Sequence, residues 1–256
     1  MKKAFLLCVL LILGGAWALG ERLVHDPIVI LSNEDFTPEN GVVGGSGLPG
    51  DPYVIAGWKI DDVGAPFGIL IQGTTVPFVI RNVEVCGAKI AGIKILAAKN
   101  GRVEDSLVQG STTGIMVFMG ENVHVASTTV RECEDGVRVL FSSGVHFTEI
   151  TVADCQVGIW FTGTTASTLE GSRIEGCDLG TKLELGSEGN LIAGNAFLGC
   201  RIPAYAEEGN SWDDGARGNY WEGFQAPDED GDGILDSPYS VGLDEDRFPL
   251  ASPPEE

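Results

Sequence analysis

Apolar and polar positions alternate with a period of two through the middle of the chain, and the alternation itself recurs. Gly92-Ile93-Lys94-Ile95, Gly114-Ile115-Met116-Val117, Gly136-Val137-Arg138-Val139, Gly158-Ile159-Trp160-Phe161 and Gly180-Thr181-Lys182-Leu183 begin at 92, 114, 136, 158 and 180, a constant step of 22. The first and third residues after each glycine are nearly all apolar and the second is polar or large, the pattern of a half-buried strand. A second strand follows in every repeat, with apolar positions at Val103, Val125, Phe147, Leu169 and Leu191 and then at Val108, Val130, Val152 and Ile174. Gly, Ser, Thr and Asn fill the corners, and no segment carries a helical period. A unit this short cannot bury its apolar face alone, so neighbouring units must stack and share one core. Stacked coils lie about 4.8 Å apart, which places residues 22 apart directly over one another. The reading is an all-β solenoid of parallel sheets built from 22-residue coils.

Both ends depart from the pattern. From Ile28 to Ile71 short strand-like pieces alternate with Gly/Pro-rich turns, and after Gly199 the repeat fades into a segment with Trp212, Tyr220 and Trp221. These stretches are read as caps, because an uncovered solenoid end would expose edge strands and core side chains. The predicted organisation is a signal peptide over 1–18, an N-terminal cap over 19–67, coils over 68–201 and a C-terminal cap over 202–256. The signal peptide rests on Lys2 and Lys3, the apolar run Ala4 to Leu13 and the small-residue pattern around Ala16 and Ala18. A membrane span needs about 20 apolar residues, more than this run supplies. The expectation is a secreted, periplasmic or cell-surface protein with no membrane span after cleavage.

The Gly-Ile-x-Val strand followed by a polar corner and a further strand resembles the right-handed parallel β-helix family over roughly Gly68 to Arg201. That resemblance implies the architecture, with caps at both ends, and says little about function. Composition narrows the partners. With 16 Lys plus Arg against 37 Asp plus Glu, the formal charge is −21, and no basic stripe supports nucleic-acid binding. Such acidity suits cation binding.

Stacking makes ladders of any residue that recurs in register. Cys133, Cys155 and Cys177 are 22 apart and Cys200 follows after 23. In-register strands keep Cβ atoms near 4.8 Å, wider than the about 3.5–4.5 Å of a disulfide, so stacked thiols are favoured. His124 and His146 form an outward pair that could share a copper ion, with Met116 and Met119 on a neighbouring strand of the same coil as His124 as softer donors. The alternative is a solvated pair on a β surface. Glu132 and Asp154 stack at a corner, as a pair of surface acids or as the two carboxylates of a glycosidase. Trp160 falls on an outward file with Arg138 and Lys182, a candidate ligand face where an exposed indole would stack on a sugar ring.

The most specific chemical motif is Asp228-Glu229-Asp230-Gly231-Asp232-Gly233-Ile234-Leu235-Asp236. Carboxylates at positions one, three, five and nine, glycine at six and the Ile234 carbonyl at seven follow the ligand order of a calcium loop. Tyr239 occupies the twelfth position, so Asp244, Glu245, Asp246 or water would have to complete the shell. Gly218-Asn219-Tyr220-Trp221, this acidic loop through Ser237-Pro238-Tyr239, and Phe248-Pro249-Leu250 together resemble the ending of NosD-type β-helix proteins. Gly47 to Ile55 and Gly57-Trp58-Lys59-Ile60-Asp61 are similar to their beginning. The resemblance implies a periplasmic protein of a group associated with copper supply. The functional expectation is an exported, non-catalytic β-helix with a structural calcium ion and a polysaccharide or cell-envelope ligand. The alternatives are a polysaccharide lyase or glycoside hydrolase on the same solenoid, and a copper-handling accessory protein.

Overall fold

The computed structural model describes residues 22–61 and 64–254; the predicted signal peptide lies outside them. Three parallel sheets wrap around one apolar core. The glycine-marked strands form the first sheet, including Ala91–Leu96, Thr113–Phe118, Asp135–Leu140, Val157–Thr162 and Leu179–Glu184. The second sheet contains Gly101–Glu104, Glu121–Ala126, Ser143–Thr148 and Thr168–Glu170. The third contains Leu107–Gln109, Thr129–Arg131, Thr151–Ala153 and Arg173–Glu175. What the sequence suggests as one second strand is therefore two, divided by a residue in the left-handed conformation at Asp105 (φ 49°), Ser127 (φ 45°) or Glu149 (φ 54°). Stacking begins early: Tyr53–Ala56 and Trp58–Asp61 already pair in parallel with the coil that follows.

Register follows the repeat, with Ile93, Ile115, Val137 and Ile159 paired in turn on the first sheet. All four are fully buried, and burying each such side chain contributes roughly 1.5–3 kcal/mol. One expectation fails. Leu169 pairs with Ile192, not Leu191, and Ile192 is the buried residue. Thr162 still pairs with Glu184 at a step of 22, whereas Thr165 bridges Glu188 at 23. The extra residue thus enters at the corner around Leu185 to Glu188, before Leu191 and well before Cys200.

The glycine ladder reflects space, since Gly92, Gly114, Gly136 and Gly158 all keep negative φ. A Cβ on Gly114 would overlap Val130 Cγ1 on the third sheet and stand 2.6 Å from the Gly136 carbonyl oxygen; on Gly136 it would meet Val152 Cγ1 at 2.5 Å and the Gly158 carbonyl at 2.6 Å. Only a hydrogen fits between the coil above and the wall opposite.

Corners carry a second repeated device. Ser106 Oγ donates to the Glu104 carbonyl at 2.7 Å and accepts from Val83 N at 3.2 Å; Thr128, Ser142, Ser167 and Ser172 each donate to the carbonyl two residues back. These small groups satisfy backbone atoms that the turn withdraws from the ladders. Near the C-terminal end Asn195 and Asn219 take over, Asn195 Nδ2 reaching the Leu169 carbonyl and its Oδ1 accepting from Ser172 N.

Candidate functional site

On the first sheet the outward file reads Lys94, Met116, Arg138, Trp160, Lys182 and Tyr205, one residue per coil. Trp160 is half-buried, with the Arg138 guanidinium carbon 4.2 Å from its ring centroid on one side and Lys182 Nζ 4.2 Å from it on the other. This corrects the expectation of an exposed indole ready to stack on a sugar: cations from the coils on either side occupy both faces. The ring edge is fixed by Nε1, which donates to Glu184 Oε1 at 2.9 Å, while Lys182 pairs with the other Glu184 oxygen at 2.9 Å. Arg138 pairs with Asp135 at 3.2 Å. Burial pushes the Asp135 carboxyl above its ordinary value, and Arg138 pulls it partway back. The file is a packed ribbon of cations and aromatic carbon on a strongly acidic molecule.

The cysteines occupy corner positions equivalent to those serines. Cys133, Cys155 and Cys177 are buried, free, and donate Sγ–H to the carbonyl two residues back at 3.2, 3.2 and 3.4 Å. The neighbouring thiols of Cys133 and Cys177, together with burial, push the Cys155 thiol up. Their periodicity is that of a corner plug. Beside them opens a cleft of about 720 Å³ lined by Glu132, Cys133, Glu134, Asp154, Cys155 and Asp178 among others. Glu132 (φ 56°) and Asp154 (φ 53°) both stand on left-handed corners, so the stacked acids do share one cleft.

His124 and His146 lie on the second sheet with ring centroids 4.8 Å apart. Each ring holds one neighbour: His124 Nε2 lies 3.2 Å from Asn122 Oδ1 and His146 Nδ1 lies 3.1 Å from Thr168 Oγ1. Burial first, then His146 and Arg102, holds His124 below the ordinary imidazole value. Met116 belongs to the first sheet and Met119 to the corner after it.

Around the acidic loop, ligand oxygens of Asp228, Asp230 and Asp232 lie within 4.8 Å of one another. The loop is tied by its own carboxylates. Gly231 N donates to Asp228 Oδ1 at 2.8 Å, Gly233 N to Asp228 Oδ2 at 3.1 Å and Ile234 N to Asp232 Oδ1 at 2.8 Å. Asp236 is held apart from the trio's grouping, accepting from Glu229 N at 2.8 Å. Two residues considered for the rest of a calcium shell are committed elsewhere. Asp244 accepts from Gly209 N and Asn210 N, and fully buried Asp246 accepts from Asn219 N at 2.7 Å, Trp221 Nε1 at 2.8 Å and Phe248 N at 3.1 Å.

One recess has no counterpart in the sequence reading. Pro49, Pro52, Pro77, Phe78, Asn100, Arg102, Asn122 and His124 line a cavity of about 320 Å³ on the second sheet. Its signal was present: Asn100 and Asn122 are 22 apart and both take the left-handed corner conformation, at φ 56° and 54°.

Comparison with known proteins now bears on this geometry. The family described as "Periplasmic copper-binding protein (NosD)" matches residues 68–226. The chain belongs to the NosD family. The match ends just before Asp228, so the acidic loop lies beyond it. A "Probable ABC transporter binding protein NosD" of Pseudomonas aeruginosa is 39% identical over 82 residues, covering 31% of this chain and 19% of the relative. The protein of that name from Stutzerimonas stutzeri is 36% identical over 84 residues, covering 32% and 19%. The chain therefore aligns with about a fifth of the length of these NosD relatives. The mannuronan C-5 epimerase AlgE6 A-module of Azotobacter vinelandii superposes with a TM-score of 0.57 at 19% identity, covering 62% of this chain and 50% of that one. This likeness concerns the fold.

Copper, named in the family's description, calls for a convergent set of nitrogen or sulfur donors. Among the described residues, the three-ligand grouping of His, Cys, Asp and Glu is the Asp228 trio, and neither His124 nor His146 belongs to one. Two imidazoles with no third His, Cys, Asp or Glu donor grouped beside them fall short of a three-ligand copper centre of those residue types. The pair by itself offers two nitrogen donors, each ring already holding a side-chain oxygen neighbour.

Proposed function

We propose that this protein is an exported, non-catalytic NosD-family β-helix that binds a polysaccharide or other envelope saccharide along the outer face of its first sheet. The observation that carries this reading is the unbroken file Lys94, Met116, Arg138, Trp160, Lys182 and Tyr205 on a chain of formal charge −21. Groups repeated at the strand spacing of about 4.8 Å suit an extended ligand laid across the coils. With both indole faces covered, contact would come from cation heads and the ring edge. Export is supported by the periplasmic description of the family and by the predicted leader over 1–18. No helix among the described residues is long and apolar enough to cross a membrane.

The reading includes a structural calcium ion held by Asp228, Asp230, Asp232 and the Ile234 carbonyl, with Asp236, at the ninth loop position and apart from the trio, reaching it through a water. The convergence of the first three carboxylates supports it, and a hard, oxygen-seeking cation matches an all-oxygen donor set. Retention on immobilised polysaccharides in affinity electrophoresis tests the binding face. Arg138→Ala combined with Lys182→Ala should weaken retention about tenfold, in line with the loss of one or two charge-assisted contacts; unchanged retention would remove the face from consideration.

A second reading has its own observation, the 720 Å³ cleft that gathers Glu132, Glu134, Asp154 and Asp178. Two carboxylates one coil apart match the roughly 5–5.5 Å of retaining glycosidases. New reducing or unsaturated ends after incubation with acidic and neutral polysaccharides, lost in Glu132→Gln and Asp154→Asn, would replace the non-catalytic reading with this one.

A further inference from the structure

We propose that the recess between the Pro49–Pro52 turn and the outer face of the second sheet is a subsite for the carboxylate-bearing ring of an acidic sugar. It lies on a different sheet from the Trp160 file and does not depend on that file binding anything. Its one cation is Arg102, which pairs through Nε with Glu104 at 3.3 Å. The two terminal guanidinium nitrogens make no hydrogen bond among the described residues. Such a fork is shaped for the two oxygens of a carboxylate.

The other polar groups form an ordered relay. Asn122 Nδ2 donates to Asn100 Oδ1 at 2.7 Å, and Asn122 Oδ1 faces His124 Nε2 at 3.2 Å. An amide oxygen only accepts, so Nε2 carries the proton and His124 Nδ1 is left as an acceptor. Asn100 Nδ2 remains as a donor. The recess therefore offers two charged donors, a neutral donor and a neutral acceptor. Phosphate or sulfate calls for donors throughout, whereas sugar hydroxyls both donate and accept. Pro49, Pro52 and Pro77 supply flat apolar walls of the kind that cover one face of a pyranose, and about 320 Å³ lies at the small end of the 300–1,000 Å³ range of ligand pockets. Asn100 and Asn122 hold left-handed backbone that Asn tolerates better than most residues. That conformation sets both amides on the corner beside Arg102.

Calorimetric titration with a trisaccharide of uronic acids and with its carboxyl-reduced counterpart tests the assignment. The charged sugar should bind the wild-type chain about ten- to a hundredfold more tightly than the reduced one, the range expected for hydrogen bonds to a charged group. Arg102→Gln should abolish that difference while leaving the weak binding of the reduced sugar. Asn122→Asp keeps a residue suited to the corner and adds a carboxylate, and it should abolish the difference as well. Arg138→Ala with Lys182→Ala should change nothing here, which separates this subsite from the first-sheet face. Equal binding of the two sugars, no binding of either, or a preference that survives Arg102→Gln in a variant of unchanged melting temperature would overturn the proposal. Inorganic sulfate binding as tightly as the trisaccharide would overturn the sugar assignment in favour of a general oxyanion site.

Discussion

The coil wall and the C-terminal closure solve the same problem, pairing every buried polar atom, in opposite ways. In the wall each solution is repeated. Ser106, Thr128 and Ser172 plug one corner in three of four coils, Ile150 standing in the other, Cys133, Cys155 and Cys177 plug a different corner, and each glycine of the ladder clears the one above. In the closure each solution is used once. Trp221 lies between Phe197 and Tyr239, at centroid separations of 4.4 and 4.3 Å, and Asp246 alone ties together Asn219, Trp221 and Phe248. Redundancy spreads the loss of one group over neighbouring coils; a group with no copy has nothing to share its loss. The end of the solenoid should therefore be more sensitive to single substitutions than its middle.

Asp246→Ala is the strongest test of that contrast. It would leave three donors unpaired, two of them backbone N–H groups, at about 1–3 kcal/mol each. Allowing for the water that would reach some of them, the expected loss is about 3 kcal/mol, a fall in melting temperature of roughly 6–12 °C for a chain of this size. Gly218 shows how tightly the carboxylate is held, since a Cβ there would overlap Asp246 Oδ1. A fall no larger than that of a corner serine replaced by alanine would erase the distinction between wall and closure.

Calcium removal comes next. If Asp228, Asp230 and Asp232 hold the ion, a hundredfold excess over Kd contributes about 2.7 kcal/mol, which chelation should remove. Asp230→Asn with Asp232→Asn should melt at the chelated temperature whether or not calcium is added. A melting curve indifferent to chelator, with no calcium in the purified protein by elemental analysis, would leave the loop as a solvated turn tied by its own Asx hydrogen bonds.

In the wall, Gly136→Ala should cost about 1–3 kcal/mol, the usual range for overpacking. Its Cβ has no room before Val152 and the Gly158 carbonyl. Gly50→Ala is the control, since that glycine has open space around its Cβ and no positive φ; it should stay within about 0.5 kcal/mol of wild type. Equal effects at the two positions would mean the ladder is not set by space.

The same contrast explains what could be read in the sequence. A device repeated every 22 residues announces itself, so the solenoid, the glycine ladder, the outward side of the His pair and the common corner of Glu132 and Asp154 were all legible, whereas the cleft at that corner was not. The position of the inserted residue was not. Counting from Cys177 to Cys200 finds that a residue is added but not at which corner, and Leu191 and Ile192 are equally apolar, so only strand pairing distinguishes them. Trp160 was legible as outward and in file with Arg138 and Lys182 but not as sandwiched, because register fixes which residues are neighbours and not that both cation heads fold over the ring. Nothing periodic distinguishes Asp246 from Asp244 and Glu245, so its buried role emerges only when the closure folds back over Asn219 and Trp221.

The smallest effect is a pH dependence that separates two acids within the closure. Asp213 is almost fully buried; Arg247 reaches it with Nη2 at 2.6 Å and Nε at 3.0 Å, and Arg247 N and Gly215 N add two more bonds. Burial raises this carboxyl, but the hydrogen bonds from Arg247 and Gly215 outweigh it and hold Asp213 below the ordinary value of 3.8. Its stabilisation is thus present above 3.8 and lost as pH falls through the lower folded value. Asp246 moves the other way, because burial outweighs its donors and raises its carboxyl. Its protonation favours the fold below 3.8, and that contribution is lost as pH rises through the raised folded value. Because Arg247 is more than half exposed, Asp213→Asn should cost only about 1 kcal/mol at neutral pH. Denaturant midpoints should show that cost unchanged between about pH 7 and pH 5 and shrinking below 3.8, where wild-type Asp213 also loses its charge. A cost that persisted at about pH 3 would assign the strap between Asp213 and Arg247 to packing and not to charge.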